Sequence, residues 1–140
     1  MAVLSATSTP VSPSPKTTPT TPQDRQHLPP VGLHIIADLY GVPAERIAYV
    51  EDVVPILERI VREAKLARLG ANYHQFEPHG MTGVILLAES HLAIHTWPET
   101  GLVNLDIFTC GDPEQAREAF RLALKYFQPA SYRHLVMERG

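Results

Sequence analysis

Apolar and polar residues alternate with a period of two through the middle of the chain, the pattern of half-buried strands. From Leu92 to Trp97 it places Leu92, Ile94 and Thr96 on one face and Ala93, His95 and Trp97 on the other. From Leu102 to Cys110 the same parity separates Val103, Leu105, Ile107 and Thr109 from Asn104, Asp106, Phe108 and Cys110. A long apolar run, Val84 to Ala88, enters a polar corner of Glu89, Ser90 and His91. The pattern predicts a hairpin with its reactive groups at the bend. Leu33 to Tyr40 also alternates and stops at Gly41-Val42-Pro43, so it reads as the first strand.

Two stretches change period. Between Glu51 and Leu69, Val53, Val54, Leu57, Ile60, Val61, Ala64 and Ala67 recur at helical spacing, with Gly70 placed to end the helix. Asp112-Pro113-Glu114-Gln115 announces a second helix: Asp112 as N-cap, Pro113 at the first helical position and Gln115 to complete a capping box. Ala119, Phe120, Ala123, Leu124 and Phe127 give it an apolar stripe. A short strand over Asn72 to Pro78 and a last one over Tyr132 to Glu138 give the order strand, helix, three strands, helix, strand. Strands joined by tight turns argue for an antiparallel sheet, and two amphipathic helices argue for cover on one face. The expected class is α+β, a two-layer sandwich. Its bare sheet face calls for a second copy of the chain, packed sheet edge to edge or face to face.

Composition divides the chain in two. Residues 1–30 hold seven of the 13 prolines, are dense in Ser and Thr and carry few large apolar residues, a composition expected to stay disordered. They lack the basic and apolar stretches of a secretory signal. Residues 31–140 form a single domain large enough for one core. A net charge of −3 without a basic stripe argues against nucleic acid, and no apolar run is long enough to span a membrane. A single cysteine cannot form an internal disulfide, which fits a cytoplasmic protein.

The mixed face holds Asp, Cys, Phe, His and Trp together, which reads as a pocket rather than ordinary packing. Glu89-Ser90-His91, His95-Thr96-Trp97-Pro98-Glu99, Asp106 and Phe108-Thr109-Cys110-Gly111 resemble the signature of the prokaryotic S-adenosylmethionine decarboxylases. These small enzymes make their own pyruvoyl cofactor. The similarity runs from about Gly32 to the C-terminus. It implies a proenzyme that cuts itself between Glu89 and Ser90, leaving a pyruvoyl group generated from Ser90. That group forms the Schiff base with the substrate amine and serves as the electron sink for decarboxylation.

Taken alone, each residue has a plainer reading. Ser90 is a turn residue, His95 a hydrogen-bonded strand histidine, Cys110 buried filler, Thr82 a turn hydroxyl, and Phe76 and Trp97 core aromatics. The resemblance makes His95 the base in self-processing, which suits a side chain that titrates near neutrality. It makes Cys110 the donor that reprotonates the product carbon, and Thr82 a second processing group. It places Phe76 on the adenine ring and Glu99 on the ribose hydroxyls, with Trp97 among the substrate-binding residues. His74, His79, His91 and His95 lack the spacing of a zinc site, and no metal is expected. The implied function is conversion of S-adenosylmethionine to its decarboxylated form, the aminopropyl donor of polyamine biosynthesis. The same machine acting on arginine or ornithine is one alternative, and a non-catalytic regulatory homologue is another. The resembled family forms dimers with active sites near the interface, so a homo-oligomer, dimer or higher, is expected.

Overall fold

The computed structural model describes residues 29–140. The expected extension, residues 1–30, lies almost wholly outside them. The elements are β1 (Gly32–Tyr40), a 3-10 turn (Ala44–Arg46), α1 (Val50–Glu63), β2 (Arg68–Gln75), β3 (Met81–Leu87), β4 (Ser90–Trp97), β5 (Leu102–Thr109), α2 (Pro113–Phe127) and β6 (Ser131–Arg139). Four strands, not three, separate the helices, because both arms of the hairpin and their two neighbours are distinct. All six strands join one antiparallel sheet in the order β2-β3-β4-β5-β1-β6. Both helices lie on one face, an α+β two-layer sandwich.

Period-two patterning decides which side chains the helices cover. Leu33, Ile35, Ala37 and Leu39 of β1, Leu92 and Ile94 of β4 and Val103, Leu105 and Ile107 of β5 are buried with Val53, Leu57 and Ile60 of α1 and Ala119, Ala123 and Phe127 of α2. Burial of each large apolar side chain is worth roughly 1.5–3 kcal/mol. The opposite face keeps His34, Asp38, Thr82, His95, Asn104 and Asp106 together with half-exposed Ile36, Leu86, Leu135 and Met137.

The first helix is shorter than its pattern. It ends at Glu63, Lys65 turns left-handed at φ 58°, and Arg68 to Gly70 belong to β2, where Arg68 pairs with Leu87 and Gly70 with Leu86. Sheet pairing captures residues whose spacing could have continued the helix, so Gly70 is not its cap. Its N-terminus is capped from a distance: Gln75 Oε1 accepts from the Val50 N–H at 2.7 Å, while Gln75 Nε2 donates to the Ala48 carbonyl at 3.0 Å. In α2, Asp112 Oδ1 accepts from the Glu114 N–H at 2.9 Å as expected of an N-cap. The capping box does not close, because Gln115 Nε2 donates to the Lys65 carbonyl instead.

Candidate active site

The hairpin tip is a two-residue turn. Leu87 pairs with Ser90, so Ala88 and Glu89 make the bend, and Glu89 takes a left-handed φ of 59°. A non-glycine residue there costs roughly 1–2 kcal/mol, and that strain sits next to the Glu89–Ser90 peptide bond. Ser90 opens β4, half-buried, and its Oγ accepts from the Cys110 backbone N–H at 3.0 Å. Cys110, just past the end of β5, is half-buried with a free thiol. The structure therefore brings Ser90 and Cys110 together at one end of the sheet.

Thr82 and His95 form a separate pair. They are register partners across β3 and β4, and Thr82 Oγ1 lies 2.7 Å from His95 Nδ1, a contact that fixes the imidazole's orientation. They share a cavity of about 300 Å³ with Phe76, Trp97, Glu99 and His79. Phe76 and Trp97 are each 47% exposed, which corrects their default reading as core aromatics. Gly80, at φ 95°, lets the chain fold back so that its carbonyl accepts the Phe76 N–H at 2.8 Å, which sets Phe76 at the cavity wall. Glu99 Oε2 lies 3.3 Å from His79 Nε2. Trp97 Nε1 donates to Asn104 Oδ1 at 2.8 Å, orienting the indole.

The two groups do not meet within one chain. Ser90 and His95 stand five residues apart on one extended strand, roughly 16 Å. An odd separation also puts their side chains on opposite faces, Ser90 with the helix-side set and His95 on the open one.

The open face carries polar connections that sequence reasoning missed. Asn104 Nδ2 donates to Asp38 Oδ1 at 2.8 Å, and Arg133 Nε donates to Asp38 Oδ2 at 3.0 Å. The Asn104 hydrogen bond is the largest cause, and together with the hydrogen bond and charge of Arg133 it holds the Asp38 carboxyl below the usual carboxylate range against the opposing effect of burial. His34 hydrogen-bonds Asp106, and His91 Nε2 stands 3.3 Å from the same carboxylate oxygen. Cross-strand register was the available signal: Asp38 pairs with Asn104 and Arg133, and His34 with Phe108. Thr109 Oγ1, buried beside this end of the sheet, has no partner among the described residues.

A two-layer α+β sheet with a serine behind a strained turn, a free thiol and a hydroxyl–imidazole pair beside a cavity has the make-up of a small enzyme. The comparisons narrow that class. Residues 33–140 match the family model described as S-adenosylmethionine decarboxylase. The chain is 59% identical over 110 residues to an S-adenosylmethionine decarboxylase proenzyme of Archaeoglobus fulgidus, covering 79% of this chain and 98% of that protein. It is 51% identical over 110 residues to the proenzyme of that name from Aquifex aeolicus, covering 79% and 82%. The crystal structure of the adenosylmethionine decarboxylase from Aquifex aeolicus superposes with a TM-score of 0.78 at 48% identity, over 81% of this chain and 93% of that one. The chain belongs to the S-adenosylmethionine decarboxylase family, a family of carboxy-lyases. No helix among the described residues is long and apolar enough to cross a membrane.

Proposed function

We propose that this chain is a proenzyme that cuts itself between Glu89 and Ser90 and then decarboxylates S-adenosylmethionine, supplying the aminopropyl donor of polyamine synthesis in the cytoplasm. The observation that carries the reading is the Ser90 hydroxyl, held by the Cys110 N–H directly behind the left-handed Glu89. In the cut, Ser90 Oγ attacks the Glu89 carbonyl carbon, the C–N bond breaks, and the freed nitrogen takes a proton. The strain at Glu89 offsets part of the cost of exchanging an amide for an ester, and the Cys110 N–H fixes the orientation of the hydroxyl that attacks. A base then removes the Ser90 α-hydrogen, the Cβ–Oγ bond breaks so that Glu89 leaves as a carboxylate, Cβ takes up a proton, and water replaces the nitrogen, which leaves as ammonia.

Residue 90 fits the resulting pyruvoyl group, since a serine is its required precursor and Cys110 flanks it. When formed, the group supplies a ketone that condenses with the substrate amine and draws off the electron pair as carbon dioxide leaves. The Cys110 thiol, with Cys110 on the open-face parity of β5, holds the proton for the carbon that loses its carboxylate. Phe76 and Trp97 offer flat apolar surface for an adenine ring, and the Glu99 carboxylate offers two acceptors for ribose hydroxyls.

His95 is the base, and it acts from a second copy. A homodimer joined open face to open face, one sheet reversed on the other, brings the Thr82–His95 pair of each chain over the Ser90–Cys110 corner of its partner. Two features support this. Ser90 and His95 are too far apart within one chain. Ile36, Leu86, Leu135 and Met137 give that face the half-exposed apolar area a partner would cover. Residues 31–140 serve as the single catalytic domain and residues 1–30 as an extension outside it. The intact mass of purified protein tests the reading: two fragments, 1–89 and a blocked 90–140, are expected, and one uncut chain would overturn it.

A further inference from the structure

Cutting the chain at residue 90 turns a hairpin tip into a strand end, and strand ends fray unless something ties them down. On the proposed self-cleavage, Ser90 Oγ departs with Glu89, so the Cys110 N–H contact no longer holds residue 90. The first residue with an intact side chain is then His91. Its backbone pairs with Leu86 of β3 and Phe108 of β5, and its ring reaches diagonally to Asp106.

Asp106 is itself fixed from the far side. Its Oδ1 takes the hydrogen bond of His34 Nε2, and His34 Nδ1 lies 2.8 Å from Arg139 Nη1. The four residues come from β4, β5, β1 and β6, a line of contacts across four strands. Phe108 fills the space beneath them, with ring centroids 5.3 Å from His34 and 5.8 Å from His91, and the Arg139 guanidinium 5.5 Å above its ring.

The same cluster has the make-up of a cation site, since His34, His91 and Asp106 offer ligand atoms within 4.8 Å of one another. Arg139 decides between the two uses. A guanidinium can only donate, so His34 Nδ1 carries the lone pair and Nε2 carries the hydrogen given to Asp106. A histidine bound to a metal through Nε2 needs the reverse, with its hydrogen on Nδ1. The arrangement is that of a hydrogen-bonded tether.

We propose that Arg139, His34 and Asp106 are positioning residues that act through His91 to hold the new N-terminus in β4 after cleavage. The inference rests on self-cleavage and adds to it a task that arises only once the bond is cut. Asp106→Ala should therefore cleave as the unaltered chain does, yet its backbone amides from 91 to 93 should exchange deuterium at least ten times faster in the cut protein. In an uncut Ser90→Ala background the same substitution should change that exchange by less than twofold, because the turn still ties the strand. A merely structural role for Asp106 moves both forms equally and overturns the proposal. Arg139→Gln, which leaves Asp106 and His91 in place, repeats the test at the chain's edge if Asp106→Ala does not fold; about threefold faster exchange in the cut form alone is expected, and no change overturns the proposal. Loss of protection in the unaltered cut protein on adding EDTA, restored by Zn²⁺, would assign the cluster to a metal instead. Failure of the unaltered chain to cut would count against self-cleavage, a result the mass measurement reads separately.

Discussion

The Ser90–Cys110 corner and the Thr82–His95 pair share strand β4 but differ in almost everything else. The first is built from backbone: a left-handed turn residue, a main-chain N–H on a hydroxyl, and the end of a neighbouring strand. The second is built from side chains at the end of the β3–β4 ladder away from the hairpin tip, aimed onto an open face beside a cavity. A corner of the first kind can strain and hold a peptide bond, but the proposed base is not part of it. A pair of the second kind can hold a proton but has no bond of its own to break. The separation is the reason the proposed self-cleavage needs both halves.

The sharpest way to break this contrast is to remove one half at a time. Ser90→Ala should abolish cleavage outright, read as a single chain by intact mass. His95→Ala should also fail to finish, stalling as an ester that hydroxylamine cleaves between residues 89 and 90. Ordinary blocked fragments from His95→Ala would place the base elsewhere.

Cys110→Ala comes next. The backbone N–H that holds Ser90 Oγ survives this substitution, so cleavage should proceed, whereas turnover should fall by roughly 10²–10⁴, the usual contribution of a general acid. Carbon dioxide release at wild-type rate would return Cys110 to a packing role.

The cavity side carries smaller effects. Phe76→Ala and Glu99→Gln should raise KM for S-adenosylmethionine by roughly 10–100-fold, about what one aromatic or charged contact is worth, while cleavage proceeds. Equal loss of cleavage in either variant would show that the cavity serves the cut rather than the substrate.

The smallest effect lies in the polar line that ties Trp97 to β6. Because the Asp38 carboxyl is held below its ordinary value by Asn104 and Arg133, the stability it contributes is present above about pH 4 and lost as pH falls through its depressed folded value. Asp38→Asn should lower the thermal midpoint at pH 7 and lower it by less at pH 3. Equal shifts at both pH values would contradict the charge argument.

Much of this was legible in the residues. Period-two alternation gave the correct faces for β4 and β5, and Asp112-Pro113 marked the start of α2. The end of α1 was not, because Ala64 and Ala67 fit a helical stripe and only pairing with β3 pulls Arg68 into the sheet. Gln75 offered no signal for its cap on α1, a contact between residues 25 positions apart. The separation of Ser90 from His95 could have been read directly: five residues along a strand is an odd step, which changes face and spans too far for one to serve the other. The tether of His34, Asp106 and Arg139 needed the strand order, since β1 is inserted between β5 and β6.

The proposed division of the site between two copies is tested most directly by mixing its halves. Ser90→Ala chains keep His95 but have nothing to cut, and His95→Ala chains keep Ser90 but lack the base. Co-expressed with different tags, they should form mixed dimers in which the His95→Ala chain, and only that chain, is converted to fragments 1–89 and a blocked 90–140 by intact mass. A His95→Ala chain that stays stalled in the mixture, or one that matures normally on its own, would contradict the account.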